Sequence, residues 1–392
     1  MPAQRLQKVW RNLRVNVYHL LSMRHSGQRR EPFPELLRVE GVRDLIRSVL
    51  FSTASISLVF FLSGCGGGNS SSIGPGGVTS VLNNYHLSGA NNPVRDPSII
   101  RQGATYYLFS TDAGGGISGH LPIRCSTDKV NWQLCGAVFS QIPAWVQANE
   151  PGITDLWAPD ISLFNGRYHL YYAGSIFATN RSVIGLATNR TLDPSDPAYQ
   201  WVDQGLVLSS SSSDDFNAID PSILVDTDGS LWMTYGSYWT GIKQQQIDSS
   251  TGKLMLPNQT IYSLATRPGV QFNPIEGTSL VHKDNYYYLF ASFDDCCNPD
   301  PCLDTYRVMV GRSTSPHGPF TDMNGTPMMQ GGGTQLIGGN GSTWNAPGGQ
   351  TVFLDPQKGD LITFHALHLP DGAAYVFVNG LTWANGWPQI QP

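Results

Sequence analysis

The sequence predicts an all-β chain folded as a five-bladed β-propeller, and three observations lead there. Past residue 80 no long stretch sustains a helical period; short β-branched and aromatic runs alternate with Gly, Asn, Asp and Pro. Five of those runs, YYLFST, YHLYYAG, LWMTYGS, YYYLFAS and LITFHAL, can be laid in register. Each is then preceded by a short segment at the same place: Asp96-Pro97-Ser98-Ile99, Ala158-Pro159-Asp160-Ile161, Asp220-Pro221-Ser222-Ile223, Glu276-Gly277-Thr278-Ser279 and Ala346-Pro347-Gly348-Gly349. The first residues of these segments lie 62, 62, 56 and 70 positions apart. That spacing suits one blade of several antiparallel strands per repeat. A β-sandwich would also have short strands, but not an anchored repeat. Five copies across residues 94–388 leave nothing over for a second domain.

Composition supports a large folded core. Of 392 residues, 40% are hydrophobic and 11% aromatic, while only 14% are charged, which argues against disorder and against a coiled coil. Charge is unevenly spread. Residues 1–64 hold ten Lys+Arg and four Asp+Glu, so the remainder carries 14 basic against 25 acidic residues, a net of −11. A body that acidic repels polyphosphate, and nucleic acid is not an expected partner.

The N-terminal segment reads as an address. Val49 to Leu62 is a charge-free apolar run behind Arg38, Arg43 and Arg47, shorter than the roughly 20 residues that span a bilayer. It ends in Leu62-Ser63-Gly64-Cys65. Basic region, short apolar region and small residues together define an export signal over residues 1–64, with Met23 a candidate true start. LSGC resembles a bacterial lipobox, which implies that Cys65 is lipidated and the protein is tethered to a membrane surface, at the outer membrane or the extracellular face. Residues 65–84, with the Gly/Ser-rich GGGNSSSIGPGG, are the expected linker, and residues 85–392 the propeller. Export permits disulfides. Cys125 and Cys135 bracket a strand–turn–strand segment and are expected to pair; Cys296, Cys297 and Cys302 crowd one loop, where a bridge leaves one over.

The first strand of each propeller blade lines the central axis, so equivalent positions of the five segments converge. Asp96, Asp220 and Glu276 stand there in blades one, three and four, with Ala158 and Ala346 in the others; Asp160 lies two residues on, on the same strand face. A single Asp-Pro-Ser is an ordinary turn. Three acids in register are a different matter, because close like charges raise one pKa and leave a neighbour ionised. That split serves general acid–base hydrolysis, and glycoside cleavage by direct attack of water needs two carboxyls about 6.5–9.5 Å apart. The ligand-dense spacing of a calcium loop is absent. Trp157, Phe177 and Trp239 lie near these acids and could stack on the C–H faces of sugar rings, with Asp160, Asn217 and Ser237 as the polar residues expected to bind the substrate.

The segments VRDPSII, LWAPDISLFNGRYHLYYAGS, NAIDPSI, DGSLWMTYGSYWTGI, PIEGTSLV, YYYLFASFDDCC, VGRSTSPHGPF and GLTWANGWP resemble the endo-1,5-α-L-arabinanases of glycoside hydrolase family 43, in order, over almost all of residues 85–390. The resemblance implies an inverting hydrolase that cleaves internal α-1,5-L-arabinofuranosidic bonds of arabinan, with Asp96 as general base, Glu276 as general acid and Asp220 orienting the acid and keeping its pKa raised. It further implies a calcium or sodium ion in the axial channel near His365, structural in role, since the chemistry needs no cofactor. Two positions depart from the family pattern. Arg95 stands where the family often has His, and should lower the pKa of Asp96; Gly349 stands where the family commonly has His. The competing expectations are an exo-acting α-L-arabinofuranosidase or β-xylosidase of the same family, whose members often carry an added β-sandwich domain, and a non-catalytic glycan-binding lipoprotein. A monomer is the expected state.

Overall fold

The computed structural model describes residues 80–112, 117–298 and 300–391; the export signal, Cys65 and most of the expected linker lie outside them. Five antiparallel sheets follow one another along the chain. Blade one runs from its inner strand Ser98–Gln102 through Thr105–Phe109 and His120–Ser126 to Asn131–Phe139, with the short strand Ser88–Gly89 added in parallel outside. Blade two comprises Leu156–Phe164, Arg167–Ser175, Ser182–Asn189 and Val202–Ser210. In blade three, Ser222–Val225 and Leu231–Tyr235 are followed by Ile242–Asp248, whose outer edge is shared by Lys253–Leu254 and Tyr262–Ala265. Blade four comprises Ile275–Lys283, Tyr286–Phe293, Arg307–Ser313 and Thr334–Ile337. Blade five comprises Trp344–Phe353, Leu361–His368, Ala374–Ala384 and Trp387–Ile390. The inner strands touch their neighbours in a closed ring, that of blade five meeting that of blade one.

Alternation along the strands decides what each blade face buries. In the second strand of blade two, Leu170 and Tyr172 face blade one while Tyr171, between them, faces blade three. The same logic fills all five gaps between blades with an apolar cluster. The last unites Ile99 and Leu108 with Leu361, Val376 and Val378, sealing blade five onto blade one. Backbone bonds reinforce that seam: Val94 N donates to Ala374 O at 2.9 Å and Val376 N to Asn91 O at 3.0 Å. Tight hairpins set the register within blades. Asn165-Gly166 (φ 48° and 67°) and Asn385-Gly386 (φ 54° and 72°) place both central residues in the left-handed region, the type I′ geometry that matches strand twist.

Two expectations need adjustment. The propeller begins before residue 85: Ser80–Asn83 is a helical turn whose Val81 and Leu82 are buried with Phe364 and Phe377 between blades four and five. Two apolar side chains that find such a slot cannot belong to a free tether. Cys125 and Cys135 are bonded across neighbouring strands of blade one, as expected. In the second cysteine loop Cys296 is bonded to its neighbour Cys297, and Cys302 is disulfide-bonded as well, so no cysteine is left over there.

Candidate active site

At the head of each inner strand one residue takes a left-handed backbone conformation: Asp96 (φ 48°), Ala158 (40°), Asp220 (55°) and Ala346 (49°), with Gly277 (59°) doing so in blade four. Strand register slips at this point in blades two, four and five. Alanine has no side chain with which to offset that conformation, so Ala158 and Ala346 are held there by the surrounding fold. The repeated kink turns the anchor position toward the axis, where Asp96, Ala158, Asp220, Gly277 and Gly349 line a small cavity. The three predicted acids are therefore brought together, and their charges act on one another.

Their environments differ. Glu276 is the most enclosed, 8% exposed, with Ser237 Oγ donating to Oε2 and Tyr306 OH to Oε1, both at 2.5 Å. Burial pushes its pKa up; the two hydroxyl donors pull the other way, and the charges of Asp96 and Asp295 add to the rise. Asp220 accepts from Gly277 N at 3.0 Å. Burial raises it well above the usual carboxylate range, and the charges of Glu276 and Asp96 push in the same direction. Asp220 and Glu276 thus act as a pair that retains a proton where isolated carboxylates would have lost theirs.

Asp96 is more open than Glu276, its side chain 29% exposed. Thr111 Oγ1 donates to Oδ2 at 2.6 Å. Burial still sets the net direction of its pKa, which is up; Thr111 and then the Arg95 guanidinium oppose it. The expectation that Arg95 lowers this pKa holds for the guanidinium's own effect and fails for the sum, because desolvation is larger. Beside Asp96, His365 is 2% exposed, and burial, aided by the Arg95 charge, drives its pKa well below the ordinary imidazole value. The Asp96 backbone N–H donates to His365 Nδ1 at 3.2 Å, so the neutral ring carries its proton on Nε2.

Gly349 is where the departure from the family pattern becomes intelligible. It has φ 58°, and a Cβ placed on it would lie 2.3 Å from Asp96 Oδ1 and 2.9 Å from His365 Nδ1. With the chain in this conformation, only glycine lets the Asp96 carboxylate sit against the blade-five strand.

Of the residues expected to bind substrate, three do something else. Asp160 is buried and spans three blades, with Ile223 N donating to Oδ2 at 2.9 Å and Ser98 Oγ to Oδ1 at 3.5 Å; burial pushes its pKa up to about 7. Both oxygens are engaged between strands, because the position two residues past the anchor points into the inter-blade seam. Asn217 is buried and accepts from Ser182 Oγ at 2.6 Å. Ser237 is buried against Glu276, so it orients the acid. Trp157 and Trp239 are half-buried and Phe177 is 60% exposed, which leaves all three able to meet a ligand.

Thr111, Tyr306 and Ser292 are the functional side chains that sequence reasoning passed over. Ser292 Oγ accepts from Gly349 N at 2.9 Å and so fixes the strand beside Asp96. A signal existed for two of them: the aligned runs YYLFST, LWMTYGS and YYYLFAS all end in a hydroxyl residue, namely Thr111, Ser237 and Ser292. Tyr306 carries no such mark.

A closed five-bladed ring whose axis gathers an interacting, proton-retaining Asp220–Glu276 pair and the partly exposed Asp96 defines a general acid–base hydrolase. Comparison with known proteins agrees. The family model described as Glycosyl hydrolases family 43 matches residues 90–388, and the chain belongs to that family. It is 38% identical over 303 residues to the extracellular endo-α-(1→5)-L-arabinanase 1 of Bacillus subtilis, covering 76% of this chain and 88% of that protein. It is 36% identical over 308 residues to the extracellular exo-α-(1→5)-L-arabinofuranosidase of Cellvibrio japonicus, covering 76% and 86%. Among solved structures, the family 43 endo-arabinanase from Bacillus licheniformis shares 40% identity with a TM-score of 0.70, covering 78% of this chain and 99% of that one. An α-L-arabinanase from Cellvibrio cellulosa, solved with arabinohexaose, shares 36% identity and a TM-score of 0.70, covering 77% and 96%.

Proposed function

We propose that this protein is an endo-1,5-α-L-arabinanase that hydrolyses internal bonds of arabinan with inversion. The observation that carries the reading is the match to an endo-arabinanase across the whole propeller, at 38% identity, together with the acid–base asymmetry on the axis. Water sits between the open Asp96 and the anomeric carbon. Asp96 takes its proton as the new C–O bond forms, and Glu276 hands its proton to the departing oxygen as the old bond breaks. Asp220, paired with Glu276, keeps the acid charged with its proton between turnovers. Ser237 and Tyr306 hold the Glu276 carboxyl in one orientation, and Thr111 does the same for Asp96.

Trp157, Phe177 and Trp239 supply the apolar faces for the sugar rings. A calcium or sodium ion is the occupant we expect in the channel near His365; with Nδ1 accepting the Asp96 N–H, the ring presents Nε2–H and would address the ion through a water of its shell, not as a direct ligand. Among the described residues no group of three His, Cys, Asp or Glu forms a metal cage, so water would complete its shell. Such an ion would add positive charge beside the carboxylates, and none of the proton transfers above passes through it. Export agrees with the extracellular relatives. Attachment through a lipid on Cys65, with the Gly/Ser segment as tether, is the location the leader supports; a Cys65→Ser variant that still fractionates with membranes would refute it.

Digestion of debranched arabinan beside an aryl arabinofuranoside tests the reading. Internal cleavage gives a ladder of oligosaccharides early from the polymer and little attack on the aryl glycoside. Arabinose alone from both substrates would assign the exo-acting mode, and ligand binding without turnover would assign a capture protein.

A further inference from the structure

Glu276 has a third neighbour that the reaction scheme does not use. Cys296 Sγ lies 3.5 Å from Oε1, the oxygen that also accepts from Tyr306. Cys296 is bonded to Cys297 and packs against Tyr306, Ala346, Leu367 and Ala374, so it is wedged between the acid and the inner part of blade five. Its loop is tied down from both sides. The buried Asp304 carboxylate accepts from Cys297 N at 3.2 Å and from Asn298 N at 2.9 Å, and Thr305 N donates to Asp295 O at 2.9 Å. Arg95 Nη1 reaches Cys297 Sγ at 3.6 Å, which places the Cys–Cys pair between the two catalytic carboxyl regions.

We propose that the Cys296–Cys297 disulfide is a positioning element for Glu276 that sets its proton affinity, and that reducing it retunes the acid; the proposal rests on Glu276 being the general acid. A disulfide sulfur has no proton to donate, so in the oxidised protein it walls Oε1 from water without stabilising the carboxylate. A dithiol reductant transfers two electrons and two protons: the S–S bond breaks, two S–H bonds form, and the reductant leaves as its own disulfide. The Cys296 thiol then stands within donor range of Oε1. A donor to a carboxylate favours its ionised form, so the acid gives up its proton at lower pH. The other groups facing Glu276 are Ser237 and Tyr306 as donors, Tyr238, and the carboxylates of Asp96, Asp220 and Asp295. None of these contains a group that dithiothreitol reduces.

The test is the pH profile of kcat/KM on debranched arabinan for the full-length protein, oxidised and after dithiothreitol, with free thiols counted by mass. A Cys125→Ser/Cys135→Ser/Cys302→Ser background leaves Cys296 and Cys297 as the disulfide cysteines among the described residues. Reduction should move the alkaline limb to lower pH. Cys296→Ser/Cys297→Ser, which keeps a donor at that place, should show the lowered limb with or without reductant, while Cys296→Ala/Cys297→Ala, which removes the donor and only admits water, should lower the limb less than the Ser variant does. Superposed profiles with the thiols counted as free would overturn the proposal. So would Ser and Ala variants that move the limb equally, since the pair would then only brace the loop. If the bridge resists reduction, the Ser and Ala variants decide alone. Glu276→Gln is the separate control: turnover that survives it removes Glu276 as the acid, whereas lost turnover beside superposed profiles removes the disulfide's role only.

Discussion

Glu276 shows how an ordinary carboxyl becomes one that holds its proton longer than an exposed carboxylate does. Enclosure drives its pKa up, and Ser237 and Tyr306 limit the rise while fixing the direction in which the proton points. The sign of the Tyr306 effect is open to measurement. A donor to the carboxylate stabilises the charged form, so Tyr306→Phe should leave Glu276 protonated to higher pH and move the alkaline limb of kcat/KM upward. It should also lower kcat, because Oε1 loses an orienting bond. A limb that stays in place or moves down would mean that Tyr306 does not address the acid. The residues of the site differ in how much the sequence discloses of them. Asp96, Asp220 and Glu276 are legible because the repeat sets them in register. Tyr306 sits in DTYRV, immediately before an outer strand, and nothing local separates it from the many tyrosines that fill the blades.

The inner strand with its left-handed head is the element that makes the site. It presents the anchor side chain to the axis and sends the residue two positions on into the seam between blades, which is why Asp160 became a strand clasp while Asp96 and Asp220 stayed on the axis. A pattern of alternation puts both positions on one face; the kink in the backbone at Ala158 is invisible to it. The same geometry makes Gly349 exacting. Gly349→Ala would place a methyl group 2.3 Å from Asp96 Oδ1 on a backbone with φ 58°, displacing the base from its water. A shift of about 1 Å in a catalytic group can cost 10²-fold, so kcat should fall by about that factor with circular dichroism unchanged. Activity near that of the unaltered protein would show that the blade-five strand yields instead.

At the scale of the molecule, five blades close on themselves through apolar seams, and the order of those seams was readable in the sequence once the repeat had been found. The seam polar groups were less so, since burial cannot be read from an Asp or an Asn. Asp160 has consequences for the whole ring because it clasps blades one, two and three. Its pKa stands at about 7 in the folded protein against 3.8 for an ordinary carboxyl. Between those values the folded state holds a proton that the unfolded chain has released, so this group makes stability fall as pH rises through that window. Asp160→Asn, which never ionises, should flatten the fall in Tm between about pH 4 and pH 7; a slope identical to that of the unaltered protein would assign the dependence to the axial acids. The central claim, a pair of carboxyls acting on opposite sides of the bond through one water, is tested most directly by the configuration of the first product. Proton NMR of debranched arabinan in the opening minutes of digestion should show new reducing ends as the β-anomer, with the α-anomer growing in only by mutarotation. New ends that appear first as the α-anomer would contradict the account, since retention requires a covalent intermediate rather than direct attack by water.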